Sequence, residues 1–99
     1  MSKIVLAPET VDDFERILSH LLSTEASDPP ARIAEIVRAI DVLADNPLIG
    51  RPIDNAKREL IIGKGARGYV ALYFYDALLD IVFVTAIRSQ KEAGYPARY

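Results

Sequence analysis

The 99-residue sequence contains no cysteine, no tryptophan, one histidine and one methionine. The lack of cysteine excludes a disulfide scaffold, a thiol nucleophile and thiolate metal ligation, and it accords with a cytoplasmic address. One histidine is too few for a transition-metal centre, so neither a metal nor a cofactor is expected. No run approaches the roughly 18–20 apolar residues that a membrane-spanning helix requires. The stretch from Met1 to Pro8 is also too short in apolar residues for a signal peptide, so no membrane partner is expected.

What the chain does have is ordinary globular composition, 51% hydrophobic and 26% charged, which excludes disorder as the main state. Its length predicts a single domain over residues 1–99, large enough to bury roughly two thirds of the unfolded surface without staples. The net charge of −2 conceals an asymmetry. Residues 1–49 hold four Lys/Arg against nine acidic residues, and residues 50–99 hold eight against five. A sequence pI near 5.3 is low for a dedicated nucleic-acid binder, whose domain usually lies above about 9.

Hydrophobic periodicity divides the chain into two halves. Lys3 to Leu6 reads as a strand ended by Pro8. Thr10 then reads as an N-cap followed by Asp12 and Asp13 at the positive helix end. Val11, Phe14, Ile17, Leu18, Leu21 and Leu22 form one apolar helical face. After a break over Ser23 to Pro30, a second helix starts with Asp28 as N-cap and Pro29 in its first turn. Ile33, Ile36, Val37, Ile40, Leu43 and Ala44 are its apolar face, and Asn46-Pro47 ends it.

The second half changes period from helical to extended. Glu59 to Ile62, Tyr69 to Tyr75 and Ile81 to Ile87 read as strands, the last apolar enough to be a central strand covered on both faces. The expected fold is therefore α+β, in the order β-α-α-β-β-β. A helical hairpin packs on a small antiparallel sheet whose last three strands form a meander.

Several motifs admit more than one reading. Gly63 to Gly68 matches G-x-G-x-x-G, but a strand follows it where a dinucleotide site needs a helix, so a hairpin turn is expected. Tyr69, Ala71, Tyr73 and Tyr75 alternate on one strand face, as bases would require for stacking and as a half-buried core also uses aromatics. His20 has no sequence neighbour to work with as a catalyst and is given no role. Val82, Val84, Ala86 and Arg88 should share one face of the last strand, carrying Arg88 to the sheet's rim. Antiparallel pairing should bring Arg67 there too, with Lys64 beside it and Lys91 and Tyr95 following. These cations fit either a phosphate- or carboxylate-binding site or a solvated rim.

The second half also resembles a known family. Leu48-Ile49-Gly50-Arg51-Pro52, Arg58-Glu59-Leu60, Gly68 to Tyr75, and Ala86-Ile87-Arg88-Ser89-Gln90-Lys91-Glu92-Ala93-Gly94-Tyr95 are similar to the RelE/ParE superfamily of bacterial type II toxins. The β-α-α-β-β-β order is that superfamily's order as well. The resemblance implies a growth-arresting toxin neutralised by a cognate antitoxin, serving plasmid maintenance or stress response. Its RelE-like branch cleaves mRNA on the ribosome with basic residues and a C-terminal tyrosine, which here would make Arg67, Arg88 and Tyr95 catalytic. Its ParE-like branch inhibits DNA gyrase without a chemical step, which would make Lys64, Arg67, Arg88 and Lys91 target-binding residues.

In that superfamily the nucleases commonly carry basic residues on the second strand of the chain, where the meander begins, and an arginine just after the Gly-Tyr pair. Here Glu59-Leu60-Ile61-Ile62 and Val70 stand in those places. The resemblance therefore favours the ParE-like, non-enzymatic activity. An mRNA endoribonuclease and an inactive toxin fold that only binds remain the alternatives. A homodimer and a hetero-oligomer with the antitoxin are both compatible with it.

Overall fold

A computed structural model describes residues 1–24, 28–54 and 56–91. Its elements are β1 (Lys3–Leu6), α1 (Glu9–Ser23), α2 (Pro29–Asp41), β2 (Arg51–Pro52), β3 (Lys57–Ile62), β4 (Tyr69–Asp76) and β5 (Ile81–Ser89). A 3₁₀ turn, Val42–Ala44, extends α2, and a second one, Gly65–Arg67, leads into β4. The five strands form one sheet in the order β1-β5-β4-β3-β2, with both helices packed on it.

The meander β3-β4-β5 is antiparallel, as expected. β1 adds to β5 in parallel, however, so the sheet is mixed. The direction of a four-residue strand cannot be read from its sequence; it follows from which edge the helical excursion leaves open. Residues Arg51 and Pro52 form an edge strand against Glu59 and Arg58 where the sequence read as loop, a position that tolerates proline because no further strand needs its N–H.

β5 lies inside the sheet, between β1 and β4, but only its helix-facing side is fully covered. Val82, Val84 and Ile87 are buried, whereas Ile81, Phe83 and Thr85 are half-buried. On that second face Phe83 stacks on Phe74 across the strand pair, ring centroids 5.0 Å apart.

Burial of an apolar face explains both helices, with one rotation relative to expectation. Asp28 caps α2 through Ala31 N–H at 3.2 Å, and Ile36, Ile40 and Leu43 are buried beneath it. In α1 the buried residues are Thr10, Asp13, Ile17 and Leu21, while Val11, Leu18 and Leu22 face outward. Thr10 is not the N-cap; it sits in the first turn and donates to Ala7 O at 2.6 Å.

The reason for this rotation is polar. The carboxylate of Asp13, buried completely, accepts from Ile87 N–H at 2.9 Å and from Arg16 Nη1 at 2.8 Å. Arg16 Nη2 in turn donates to Ile87 O at 2.9 Å. Turning the helix to bury Leu18 and Leu22 instead would break both bonds to Ile87.

The tyrosine row is core. Tyr69, Ala71 and Tyr73 are buried against Ile17, Leu21, Ile36 and Ile40 in one cluster. Tyr73 Oη accepts from Gly50 N–H at 2.8 Å, and a Cβ on Gly50 would lie 2.6 Å from the Tyr73 ring. At the opposite end of the sheet, Ser2 Oγ and Tyr75 Oη both donate to Asp80 Oδ1, at 2.5 and 2.7 Å, tying β1 to the β4–β5 turn. Those two bonds hold the Asp80 carboxyl below its ordinary range.

Two outcomes follow from these contacts. Leu21→Ala, at a side chain 5% exposed, should lower stability by about 2–5 kcal/mol, and Leu18→Ala, at one 38% exposed, by about 1 kcal/mol. Equal losses in chemical denaturation would contradict the observed helix rotation.

Burial also raises the Tyr73 phenol above its usual value near 10, against the opposing Gly50 bond and the Arg58 charge. The unfolded chain therefore loses this proton first as pH rises, and stability falls from about pH 10 upward through the folded-state pKa. Tyr73→Phe should cost about 1–3 kcal/mol at neutral pH by stranding the Gly50 N–H, yet weaken that alkaline decline. Denaturation midpoints across neutral and alkaline pH measure both effects.

Candidate functional site

The sequence placed Lys64, Arg67, Arg88, Lys91 and Tyr95 together. The structure sets the first four at one end of the sheet but divides them between its faces. The cause is a register shift between Leu72 and Tyr73: Tyr73 pairs with Val84 and Leu72 with Ala86, leaving Thr85 as a bulge whose hydroxyl donates to Leu72 O at 3.3 Å.

Beyond the bulge the alternation of β5 is inverted. Cross-strand partners share a face, so Ile87 and Ser89, opposite Ala71 and Tyr69, lie on the helix side. Ala86 and Arg88, opposite Leu72 and Val70, lie on the other. The expected row Val82-Val84-Ala86-Arg88 is therefore split after Val84.

Arg88 is half-buried, and its Nη1 donates to Ser89 O at 3.2 Å. Across the three strands its row runs Arg88, Val70, Ile61. Glu59, on the same face one pleat away, is buried and takes a two-pronged contact from Arg51, with Nε at 3.0 Å and Nη2 at 2.8 Å. Tyr95 lies outside the described residues.

On the helix side the same end of the sheet opens a cleft of about 360 Å³. Arg16, Ile17, His20 and Leu21 of α1 with Thr24 just beyond its end form one wall, Arg32 of α2 contributes from the side, and Arg67, Gly68, Tyr69, Ser89 and Lys91 close it from the sheet. Arg67 and Lys91 of the expected set thus meet here, without Lys64 or Arg88.

Arg16, His20 and Arg32 were not anticipated as members. One signal was present: Arg16, His20 and Thr24 recur every fourth residue, a polar stripe along one flank of a helix. Arg32 carried no such signal, because its approach depends on how the two helices pack.

The Gly63–Gly68 segment is a turn, with Gly63 at φ +75° and Gly65 at φ +58° and a strand following, so the phosphate-cradling geometry of a dinucleotide fold is absent from it. Among the described residues no group of His, Asp or Glu is arranged to hold a metal ion, and no helix is long and apolar enough to cross a membrane.

No curated protein matches the chain. The family model described as ParE toxin of type II toxin-antitoxin system, parDE, matches residues 4–94. That span takes in both helices and every strand described above except the first residue of β1, Lys3, and the α+β arrangement agrees with the toxin fold. The chain belongs to the ParE toxin family of type II toxin–antitoxin systems.

Proposed function

We propose that this chain arrests growth by binding DNA gyrase, with no chemical step of its own, and that a cognate antitoxin neutralises it by covering the toxin's surface. The observation that carries the reading is the row Arg88, Val70, Ile61 within a chain matched to the ParE toxins. A ribonuclease working at this face would need cations and a proton acceptor beside Arg88 to activate a ribose hydroxyl and stabilise the developing charge. Two aliphatic side chains occupy those positions. Glu59, the nearest carboxylate along the sheet, is committed to Arg51.

Arg67 and Arg88, which the nuclease alternative would use together, leave the sheet on opposite faces. In a binding role this separation is no obstacle, because a protein partner can grip a rim from both sides. Lys64, Arg67, Arg88 and Lys91 are the residues proposed to contact gyrase.

The antitoxin reading has its own support. Val11, Leu18 and Leu22 form an outward apolar stripe along α1, 57%, 38% and 63% exposed. A segment that folds on contact would bury that stripe and thereby offset the entropy of its own ordering.

Expression of the protein alone in bacteria, with labelled thymidine and methionine followed over the first minutes, tests the target. Thymidine incorporation should fall first while protein synthesis continues. Early loss of methionine incorporation would instead establish mRNA cleavage, and loss of neither would leave a binding module. Arg88→Ala should abolish the arrest with the melting midpoint preserved; a variant that folds and still arrests growth removes Arg88 from the contact.

A further inference from the structure

The cleft under α1 has an unusual charge content. Arg16, His20, Arg32, Arg67 and Lys91 line it, and among the described residues no carboxylate does. The chain holds fourteen acidic residues, so counter-ions are not scarce. Among the described residues, Arg32, Arg67 and Lys91 nevertheless make no ion pair and no side-chain hydrogen bond.

Gathering cations in one concavity costs folding free energy through their mutual repulsion, and low-dielectric walls strengthen the field at its centre. Arg16 differs from the others: Asp13 and Ile87 O fix its guanidinium, so one member of the cluster is pre-organised.

The remaining walls narrow the ligand class. Ile17, Leu21 and Tyr69 are buried apolar residues forming the floor, with Ser89 and Thr24 contributing hydroxyls. A volume of about 360 Å³ lies at the small end of ligand sites and is too confined for a helix about 10–12 Å across. One carboxylate can be satisfied by a single guanidinium fork. Cations converging from α1, α2, the β3–β4 turn and the end of β5 instead suit an anion with several acceptor oxygens pointing in different directions, and phosphate is that anion. The apolar floor suits a flat, weakly polar body attached to it.

We propose that this cleft binds a phosphorylated small molecule of the nucleoside phosphate class. The phosphate is held by Arg32, Arg67 and Lys91, and the base lies against Ile17, Leu21 and Tyr69. The cleft lies on the face opposite Arg88 and shares Arg67 and Lys91 with the proposed gyrase contact, but binding of a nucleotide to the isolated chain does not depend on what the toxin targets.

Titration of the full chain with adenosine monophosphate, inorganic phosphate and adenosine at constant ionic strength tests the proposal, read by amide chemical shifts and by the melting midpoint. Adenosine monophosphate should saturate, move the Gly68 and Ser89 amides and raise the midpoint. Inorganic phosphate should move the same amides at higher concentration, and adenosine should leave them unmoved. Arg32→Gln and Arg67→Gln should each weaken nucleotide binding about tenfold or more, whereas Lys3→Gln, on β1, should leave it unchanged.

The proposal fails if the wild-type protein shows no saturable response to either phosphate compound, if adenosine binds as well as its phosphate, or if both glutamine variants bind as the wild type does. The wild-type titration stands even if a variant does not fold. Growth arrest is not a readout here, so a negative result for gyrase leaves this test intact.

Discussion

One half-buried ion pair on α1, Asp13 with Arg16, sets the geometry of the molecule. β1 ends at Leu6, paired with Val84, and past that point the outer edge of β5 has no strand beside it. Its backbone groups still need partners, because an unpaired buried N–H or C=O costs about as much as a lost hydrogen bond. Asp13 supplies an acceptor to Ile87 N–H and Arg16 supplies a donor to Ile87 O, so two side chains one helical turn apart complete the ladder that β1 abandons. The helix replaces a strand at that position, and a four-residue β1 suffices. The pair is also a constraint, since removing Asp13 would strand the Ile87 N–H and take from a partly buried guanidinium its carboxylate.

Everything distinctive about the charged end follows from that docking. With Asp13 turned inward, Arg16, His20 and Thr24 fall on the flank that faces the start of β4 and the end of β5, and a cleft forms instead of a closed seam. The opposite flank then carries Val11, Leu18 and Leu22 to the surface. The bulge at Thr85 complements this on the sheet. By inverting the alternation, it places Ile87 under α1 and sends Arg88 to the far side. Without it Arg88 would have entered the cleft and Ile87 would have left the core.

This also explains which features were legible in the sequence. The meander was clear because Tyr69 to Tyr75 and Ile81 to Ile87 are long β-forming runs with tight turns, and the start of α2 was clear because Asp28-Pro29 is local chemistry. The rotation of α1 was not, since its apolar residues span an arc wide enough for two orientations and a polar contact chooses between them. Thr10, Asp13, Ile17 and Leu21 do lie on one face, but reading Asp13 as a core residue requires knowing that Ile87 awaits a partner. The division of Arg67 from Arg88 was hidden for a related reason. Strict alternation is the only rule a sequence offers, and a single bulged residue reverses it.

The charge distribution carries the same lesson further. By sequence, residues 1–49 are acidic and residues 50–99 mildly basic, a contrast too weak to point to an anionic partner. Folding sharpens it. Of the four basic residues in the acidic half, Arg16 and Arg32 are placed in the cleft, joining Arg67 and Lys91 from the basic half. Charges in bulk solvent are screened within about 8–10 Å, so an overall charge of −2 spread over the surface does little to cancel a cluster sharing one concavity. A pI near 5.3 and a strongly cationic site are thus compatible in one small protein, because an anion approaching the cleft responds to the groups around it and not to the chain's total.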